Sequence, residues 1–241
     1  MLEENRSRRL WLVRHGITRW NSEQRFCGYS DIPLLPEGRR QAQWLARRLS
    51  MERIAAIYSS DLLRARRTAE IIAHPHSLQV NITAAWRELS FGDWEGLTYE
   101  QIVQRHRRQP DFFTDPVNVA PPGGESLTDL VRRVQLAFTE LVQEHEGAIV
   151  LVSHGGPLRT LLCGLLGMPL ERQWQLCLDL GSLSALDILP PVEDTTPVAT
   201  LALLNEQRPA RLKRVPAQYE ATNESPLDST ERHKEGSIDH A

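Results

Sequence analysis

The stretch LWLVRHGITRW, residues 10–20, decides the fold of this chain. It starts with four apolar residues that have the pattern of a buried strand, and the triplet RHG at 14–16 follows them directly. A second apolar run, GAIVLVSHGG at 147–156, also ends in His-Gly. Ligand-binding residues of open α/β sheets lie just beyond the carboxyl ends of strands. The two His-Gly pairs therefore predict two strand ends that open onto one edge of a sheet.

Strands and helices alternate along most of the chain. The apolar spacing predicts strands near 10–14, 54–60, 78–83, 149–154, 182–190 and 198–205. It predicts helices over 37–50, 59–73, 98–108, 125–147 and 157–167. Ser60 or Asp61 is the expected N-cap of the second helix, and Pro157 suits the first turn of the last one. This alternation predicts an α/β fold, namely a three-layer α/β/α sandwich with a mostly parallel central sheet.

Composition limits the class of protein. The 241 residues include 28 basic and 31 acidic side chains, for a net charge of −3, so no bulk field favours nucleic acid or an anionic membrane as a partner. No uncharged apolar stretch is long enough to span a bilayer. Three cysteines without a CxxC pair indicate a reducing compartment, and we expect a cytoplasmic protein. Polar composition after residue 204 predicts a globular domain over 1–204 and a mobile tail over 205–241.

Cationic side chains gather at the predicted strand ends. Arg14 and His15 follow the first strand, and His154 follows a later one. Arg64 lies in the first turn of the helix that comes after strand 54–60. Guanidinium forks match phosphate oxygens in pairs, and imidazoles supply single directed contacts. The residues therefore indicate a positively charged pocket, and a phosphoryl group is the ligand that matches it best.

Two other interpretations stay open for these residues. Each histidine alone fits a hydrogen-bonded structural role, and Arg64 alone fits a solvated charge on a helix. His15, His154 and Glu88 also have the residue types of a metal site. Arg14 beside His15 counts against a metal, because a fixed cation raises the cost of holding a second one. No metal or other cofactor is expected.

Five motifs occur in order along the chain. They are RHGITRWN (14–21), GYSDIPLLPEGRRQA (28–42), SSDLLRARRTAE (59–70), RELSFGDWEG (87–96) and LVSHGG (151–156). Together they resemble the histidine phosphatase superfamily, also called the phosphoglycerate mutase-like family, over about residues 10–190. The resemblance implies a phosphoryl-transfer enzyme that works without metal.

The resemblance also implies a role for each matching residue. His15 would be the nucleophile that takes the phosphoryl group onto a ring nitrogen. Glu88 would protonate the leaving alcohol and then activate water as a base. The side chains that would surround the phosphate oxygens are Arg14, Asn21, Arg64 and His154.

Four further positions complete the expected site. Cys27 stands where relatives often have a polar residue, so it is expected near the substrate together with Gly28; a small buried thiol is the alternative. Gly16 and Gly155 follow the two histidines, and we expect them to let the backbone approach the ligand closely.

The spacing of the motifs favours a phosphatase over a mutase. Mutases of this superfamily usually carry a long insertion after the catalytic Glu, whereas Glu88 and His154 are only 66 positions apart. The expected partner is a small-molecule phosphomonoester, and a homodimer is compatible with the sequence. Trp94 and Trp174 are candidates for stacking on an aromatic part of the substrate, with packing as the alternative. A mutase and a non-catalytic phosphate-binding protein stay open.

Overall fold

The computed structural model describes residues 8–189 and 199–209. In these ranges the strands are β1 (Arg8–Arg14), β2 (Ile54–Ser60), β3 (Val80–Thr83), β4 (Ala148–Ser153), β5 (Leu183–Ile188) and β6 (Ala199–Glu206). The α-helices are α1 (Arg19–Ser22), α2 (Pro36–Leu49), α3 (Leu63–Ala73), α4 (Tyr99–His106), α5 (Leu127–Glu144) and α6 (Gly155–Leu166). Each expected strand and helix has a counterpart, and the short α1 is additional.

The strands form one mixed sheet in the order β3-β2-β4-β1-β5-β6. The first four are parallel neighbours, β5 is antiparallel to β1, and β6 is antiparallel to β5. Among these strands, β5 alone runs against the others. The expected mostly parallel sheet is therefore confirmed.

Both faces of the sheet are covered, as the continuous apolar run in β1 predicts. Leu10 and Leu12 pack into one hydrophobic cluster, whereas Trp11 and Val13 pack into another. Successive side chains of a strand point to opposite faces, so the two clusters are separate core layers. Helices α5 and α6 contribute to the first layer, and α2 and α3 contribute to the second. This arrangement confirms the three-layer sandwich.

The N-cap expected for α3 is wrong. The helix begins at Leu63, and neither Ser60 nor Asp61 caps it. Asp31, in a distant loop, accepts a hydrogen bond from the Leu63 N–H at 2.6 Å, while Asp61 pairs with Arg87. A local sequence pattern cannot show this cap, because the acceptor lies 32 positions earlier in the chain.

The helices that flank β4 differ slightly from their expected bounds. α5 ends at Glu144 rather than Gly147, since His145 already has an extended backbone. α6 begins directly after His154, and Pro157 lies in its first turn as expected. His154 is therefore the residue at which β4 gives way to a helix.

The sheet extends past the expected domain boundary. β6 runs to Glu206, and the Asn205 side-chain oxygen accepts a hydrogen bond from the Asp179 N–H at 2.7 Å. Residues up to Arg208 belong to the same compact unit. The expected mobility of the tail concerns residues that lie almost entirely outside the described ranges, and it stays a prediction. No helix in the described ranges is long and apolar enough to cross a membrane.

Candidate active site

The register of two parallel strands brings the two histidines together. Arg14 of β1 pairs with Ser153 of β4, and the His15 N–H donates to the Ser153 carbonyl at 3.0 Å. The next residue on each strand is a histidine, and the His15 and His154 ring centroids lie 5.0 Å apart, edge to face. Both side chains are buried, with 3% of His15 and none of His154 exposed. The two strand ends therefore do form one crevice.

Hydrogen bonds fix the tautomer of His15. Its Nδ1 lies 2.8 Å from the carbonyl oxygen of Gly16, and a carbonyl can only accept, so Nδ1 carries the proton. Arg64 Nε lies 3.3 Å from Nε2 on the other side of the ring and donates to it. The lone pair of the neutral ring is therefore on Nε2, the atom that faces the cationic crevice.

Backbone carbonyls hold Arg64 in place. This side chain is fully buried, and its Nη atoms donate to the carbonyls of Cys27, Gly28 and Ser30 at 3.2, 2.7 and 2.8 Å. No carboxylate pairs with it among the described residues. Carbonyl dipoles orient the guanidinium without cancelling its net charge, so the charge remains available to an anion.

Two neighbouring side chains have buried nitrogen atoms without hydrogen-bond partners in the described ranges. These atoms are Arg14 Nε and both ring nitrogens of His154. Arg14 is anchored at its other end, where Nη1 donates to the Leu178 carbonyl at 2.6 Å. A buried donor without a partner is costly. An anion with several acceptor oxygens would satisfy the Arg14 Nε–H together with the one N–H of a neutral His154 ring.

The surroundings of both histidines favour the neutral form of the ring. Burial lowers the pKa of His15 well below its ordinary value, and the positive charges of Arg64 and Arg14 lower it further. Burial, Arg64 and then the neighbouring His15 lower the pKa of His154 in the same way. Burial also lowers the pKa of Arg14, and the nearby Glu88 carboxylate opposes this change. A neutral His15 has an unprotonated Nε2, as a nucleophile needs, and Arg64 Nε donates to this nitrogen in the structure.

We expect the free energy of unfolding to fall as the pH falls from about 7 to about 5, because the unfolded chain protonates these histidines and the folded chain does not. The pKa of each ring is lower in the folded protein than in the unfolded chain, so between about pH 7 and pH 5 the unfolded state binds more protons and is favoured as the pH falls. The slope is on the order of 1 kcal/mol per pH unit for each histidine. Urea titrations of wild type and His154→Gln at several pH values measure it. The variant should have the smaller slope, and equal slopes would contradict the prediction.

Glu88 reaches the crevice from the loop after a 3-10 turn at Ala84–Trp86. Its Oε1 accepts hydrogen bonds from the N–H of Leu89 at 2.9 Å and from that of Gly156 at 3.0 Å. A Cβ on Gly156 would lie 2.4 Å from Oε1, so a side chain there would displace the Glu88 carboxylate. The carboxylate is therefore seated on the first turn of α6, next to His154.

Asn21 lies in α1 and uses its carbonyl group for capping. Its Oδ1 accepts from the N–H and the hydroxyl of Thr18 at 3.0 and 2.7 Å. No hydrogen bond involves its Nδ2 among the described residues. The capping contact orients the amide and leaves its donor end available.

Cys27 and Gly28 border the site through their backbone. The Cys27 thiol is buried, and burial raises its pKa, which fits the alternative of a small buried thiol. A Cβ on Gly28 would lie 2.7 Å from the Leu89 carbonyl, so the loop passes too close to its neighbour for any side chain. Both residues contact the site through the carbonyls that accept from Arg64.

Gly16 has a packing role that its place after His15 does not show. A Cβ at this position would lie 2.5 Å from the Gly38 carbonyl oxygen, so glycine is required for packing against α2, and its part in ligand approach stays a prediction. Gly155 is different, because its Cβ would lie 3.4 Å from Arg14 Cζ and 2.8 Å from Arg159 Nη1. Glycine there keeps open the space beside the Arg14 guanidinium.

The two tryptophan candidates differ in their exposure to solvent. Trp94 is 1% exposed and stacks on Phe113 inside the core, so it cannot stack on a substrate. Trp174 is 66% exposed, and the Arg159 guanidinium lies 5.2 Å from its ring centroid. Of the two, only Trp174 is available to a ligand.

Several residues that shape the site carried no sequence signal of their own. Glu95 accepts hydrogen bonds from the N–H groups of Tyr29 and Ser30, both at 2.7 Å, and so ties down the loop that holds Arg64. Arg133 and Glu125 contact the loop that carries Glu88. Glu95 lies inside the RELSFGDWEG motif, whereas Arg133 looks like an ordinary helix arginine. Among residues 8–189 and 199–209, no group of three His, Cys, Asp or Glu side chains could hold a metal ion.

The fold and the site together define an α/β protein whose cationic crevice is built from histidine and arginine at neighbouring strand ends. The chain belongs to the histidine phosphatase superfamily, since the sequence model of its branch 1 matches residues 10–193. This match confirms the resemblance carried by the five motifs.

Named relatives cover most of the chain. The adenosylcobalamin/alpha-ribazole phosphatase of Escherichia coli is 33% identical over 83% of this chain and 96% of its own length. Phosphoserine phosphatase 1 of Hydrogenobacter thermophilus is 35% identical over 74% of this chain and 85% of its own. The crystal structure of the alpha-ribazole phosphatase from Shigella flexneri matches with a TM-score of 0.73 at 31% identity, over 82% of this chain and 96% of that one.

Proposed function

We propose that the chain hydrolyses phosphomonoesters through a phosphoryl group carried on His15 Nε2. The observation that carries the proposal is the tautomer of His15, whose Nδ1 proton is bound by the Gly16 carbonyl. Nε2 is left with a lone pair in a buried cationic crevice. Such a ring is a nucleophile already in the right protonation state and orientation.

The cationic groups around His15 bind the phosphate oxygens in this proposal. Arg14 Nε and the ring of His154 supply buried donors that have no partners in the described ranges. Arg64 supplies charge beside the attacking nitrogen, and the Asn21 amide adds a neutral donor. Donors that are already oriented stabilise the charge that develops on a transferring phosphoryl group, without reorganisation during the reaction.

The reaction has two steps. His15 Nε2 attacks phosphorus and forms the P–N bond, the P–O bond to the substrate breaks, and Glu88 gives its proton to the leaving oxygen. Water then attacks phosphorus, Glu88 takes its proton, and the P–N bond breaks with return of the electron pair to Nε2. The leaving alcohol and the water use the same side of the phosphoryl group, so one carboxyl group serves both steps.

We further propose alpha-ribazole 5'-phosphate as the substrate, with alpha-ribazole and phosphate as products in cobalamin synthesis. The stretches 91–102, 121–134 and 153–188 resemble alpha-ribazole phosphatase, and relatives with that name are matched over nearly their whole length. The exposed Trp174 offers an aromatic surface for the base of such a substrate. The proposed binding partner is thus a small molecule and not nucleic acid or a membrane. We also propose a cytoplasmic location and a homodimer.

A comparison of substrates tests this assignment. We expect kcat/KM for alpha-ribazole 5'-phosphate to exceed that for phosphoserine, sugar phosphates and phosphoglycerates by at least about tenfold. Phosphoserine is the strongest competitor, because a phosphoserine phosphatase is 35% identical to this chain. A flat profile would mean a broad-specificity phosphatase, and preference for phosphoserine would overturn the substrate. If phosphoryl exchange between the hydroxyls of phosphoglycerate were faster than phosphate release, the protein would be a mutase. If no substrate were turned over, it would be a phosphate-binding protein without catalytic activity.

A further inference from the structure

Arg133 of α5 holds the loop that carries Glu88. Its guanidinium donates to the carbonyl of Ala85 at 2.9 Å, to that of Arg87 at 2.9 Å and to that of Glu88 itself at 3.3 Å. The side chain is 20% exposed. One partly buried cation therefore binds three backbone carbonyls within a four-residue segment.

The carbonyl between these contacts, that of Trp86, is held by a different element. The Ser153 hydroxyl, at the end of β4, donates to the Trp86 carbonyl at 2.8 Å. All four consecutive carbonyls from residue 85 to residue 88 accordingly accept hydrogen bonds from side chains. Because each carbonyl is part of a rigid peptide plane, these bonds set the direction in which the Glu88 side chain leaves the loop.

Glu125 holds Arg133 in turn. Its Oε1 accepts from Arg133 Nε at 3.1 Å and its Oε2 from Nη2 at 2.9 Å, in the forked geometry of an arginine–carboxylate pair. The Glu125 carboxylate also accepts from the Ser90 N–H at 3.3 Å, at the far end of the same loop. The Arg133–Glu125 pair thus brackets the loop on both sides of Glu88.

We propose that Arg133, oriented by Glu125, is a positioning residue that aims the Glu88 carboxyl group at the leaving oxygen. The inference rests on the acid–base role proposed for Glu88. In the described ranges the guanidinium hydrogen-bonds only to backbone carbonyls and to Glu125, so its direct contacts are with the loop of Glu88 and not with a side chain expected to bind phosphate. General acid catalysis requires heavy atoms within about 2.6–3.2 Å of each other, and loop displacements well under 1 Å are enough to lose it.

The dependence on the leaving group distinguishes this role from general support of the fold. An alkyl phosphate needs a proton on its leaving oxygen, whereas p-nitrophenyl phosphate leaves as a stabilised anion. Arg133→Lys keeps the charge but loses the fork that reaches several carbonyls at once. We expect its kcat/KM for phosphoserine or another alkyl phosphate to fall by about tenfold or more, and its kcat/KM for p-nitrophenyl phosphate by less than about threefold.

Two variants complete the design. Arg132→Lys is the matched control, because Arg132 is the neighbouring residue on α5, is 72% exposed and makes only a 3.6 Å ion pair with Asp129. It should change neither rate. Glu125→Gln keeps Arg133 but weakens the pair that orients it, so it should show the same selective loss at smaller size. This second variant also provides the test if Arg133→Lys does not fold.

A double variant separates the inference from the function on which it rests. Arg133→Lys added to Glu88→Gln should cause little further loss with the alkyl phosphate, since a residue that acts through Glu88 has nothing left to position. Equal losses on both substrates, or additive losses in the double variant, would overturn the positioning role while Glu88→Gln still behaved as an acid variant. If the loss of activity in Glu88→Gln did not depend on the leaving group, the proposed acid–base role of Glu88 would itself be contradicted.

Discussion

His15→Ala is expected to lose phosphatase activity by a factor on the order of 10³ or more, because removal of the proposed nucleophile would eliminate the covalent route. Only His154 has a ring within reach among the described residues, and its centroid lies 5.0 Å away on the other strand. Release of inorganic phosphate measures the activity. With a radiolabelled substrate and rapid quenching in alkali, wild type should carry an acid-labile label on the peptide that contains His15. His15→Ala should carry none.

The control for this experiment is His74→Ala. His74 is exposed in the turn that follows α3, outside the crevice, so this variant should keep both activity and label. Acid lability distinguishes phosphohistidine from a phosphorylated serine or threonine. A label found on His154 in the wild-type enzyme would identify His154 as the nucleophile and contradict the proposal. A labelled His15→Ala variant would exclude His15.

Glu88→Gln is expected to be the second most damaging change, and its effect should depend on the leaving group. A glutamine oxygen can still accept the two N–H bonds from Leu89 and Gly156, so the loop keeps its seat while the acid is lost. General acid catalysis contributes about 10²–10⁴-fold, and kcat/KM for an alkyl phosphate should fall by that factor. The fall for p-nitrophenyl phosphate should be much smaller.

Glu100→Gln is the comparison variant for this prediction. Glu100 is an exposed carboxylate in the first turn of α4, and its replacement should leave both substrates unaffected. A Glu88→Gln enzyme that lost activity equally on the two substrates would point to a role in binding or folding rather than in proton transfer. Measuring kcat/KM, which covers steps up to phosphoryl transfer, avoids confusion with slow hydrolysis of the phosphohistidine.

The sequence predicted the fold and the site best where one short stretch contains both a strand and the candidate site residues that follow it. The apolar run from Leu10 to Val13 predicts a strand buried on both faces, and the polar residues after it predict a strand end. Both expectations follow from local periodicity alone. The proximity of His15 and His154 needed one further rule, that strand carboxyl ends meet at one edge, and the register of β1 and β4 fulfils it.

The residues that support the site could not be predicted, because their partners are distant in sequence. Arg133 contacts carbonyls 45 to 48 positions earlier, and carbonyls are common to every residue type. Asp31 caps a helix that starts 32 positions later. The contact between Gly16 and Gly38 depends on the path of α2 across the sheet. The choice for Trp94 between stacking on a substrate and packing stayed open for a related reason, since its burial depends on its contact with Phe113.

The way in which Arg64 is held has an evolutionary consequence. Its partners at Cys27, Gly28 and Ser30 are main-chain oxygens, which every amino acid provides. A change of the side chain at 27 thus leaves the main-chain acceptor in place, whereas Gly28 is constrained by its close packing and the Ser30 hydroxyl is hydrogen-bonded to Glu95. Under the proposed mechanism, the side chain at position 27 can therefore change to suit another leaving group while the main-chain oxygens that hold Arg64 stay in place.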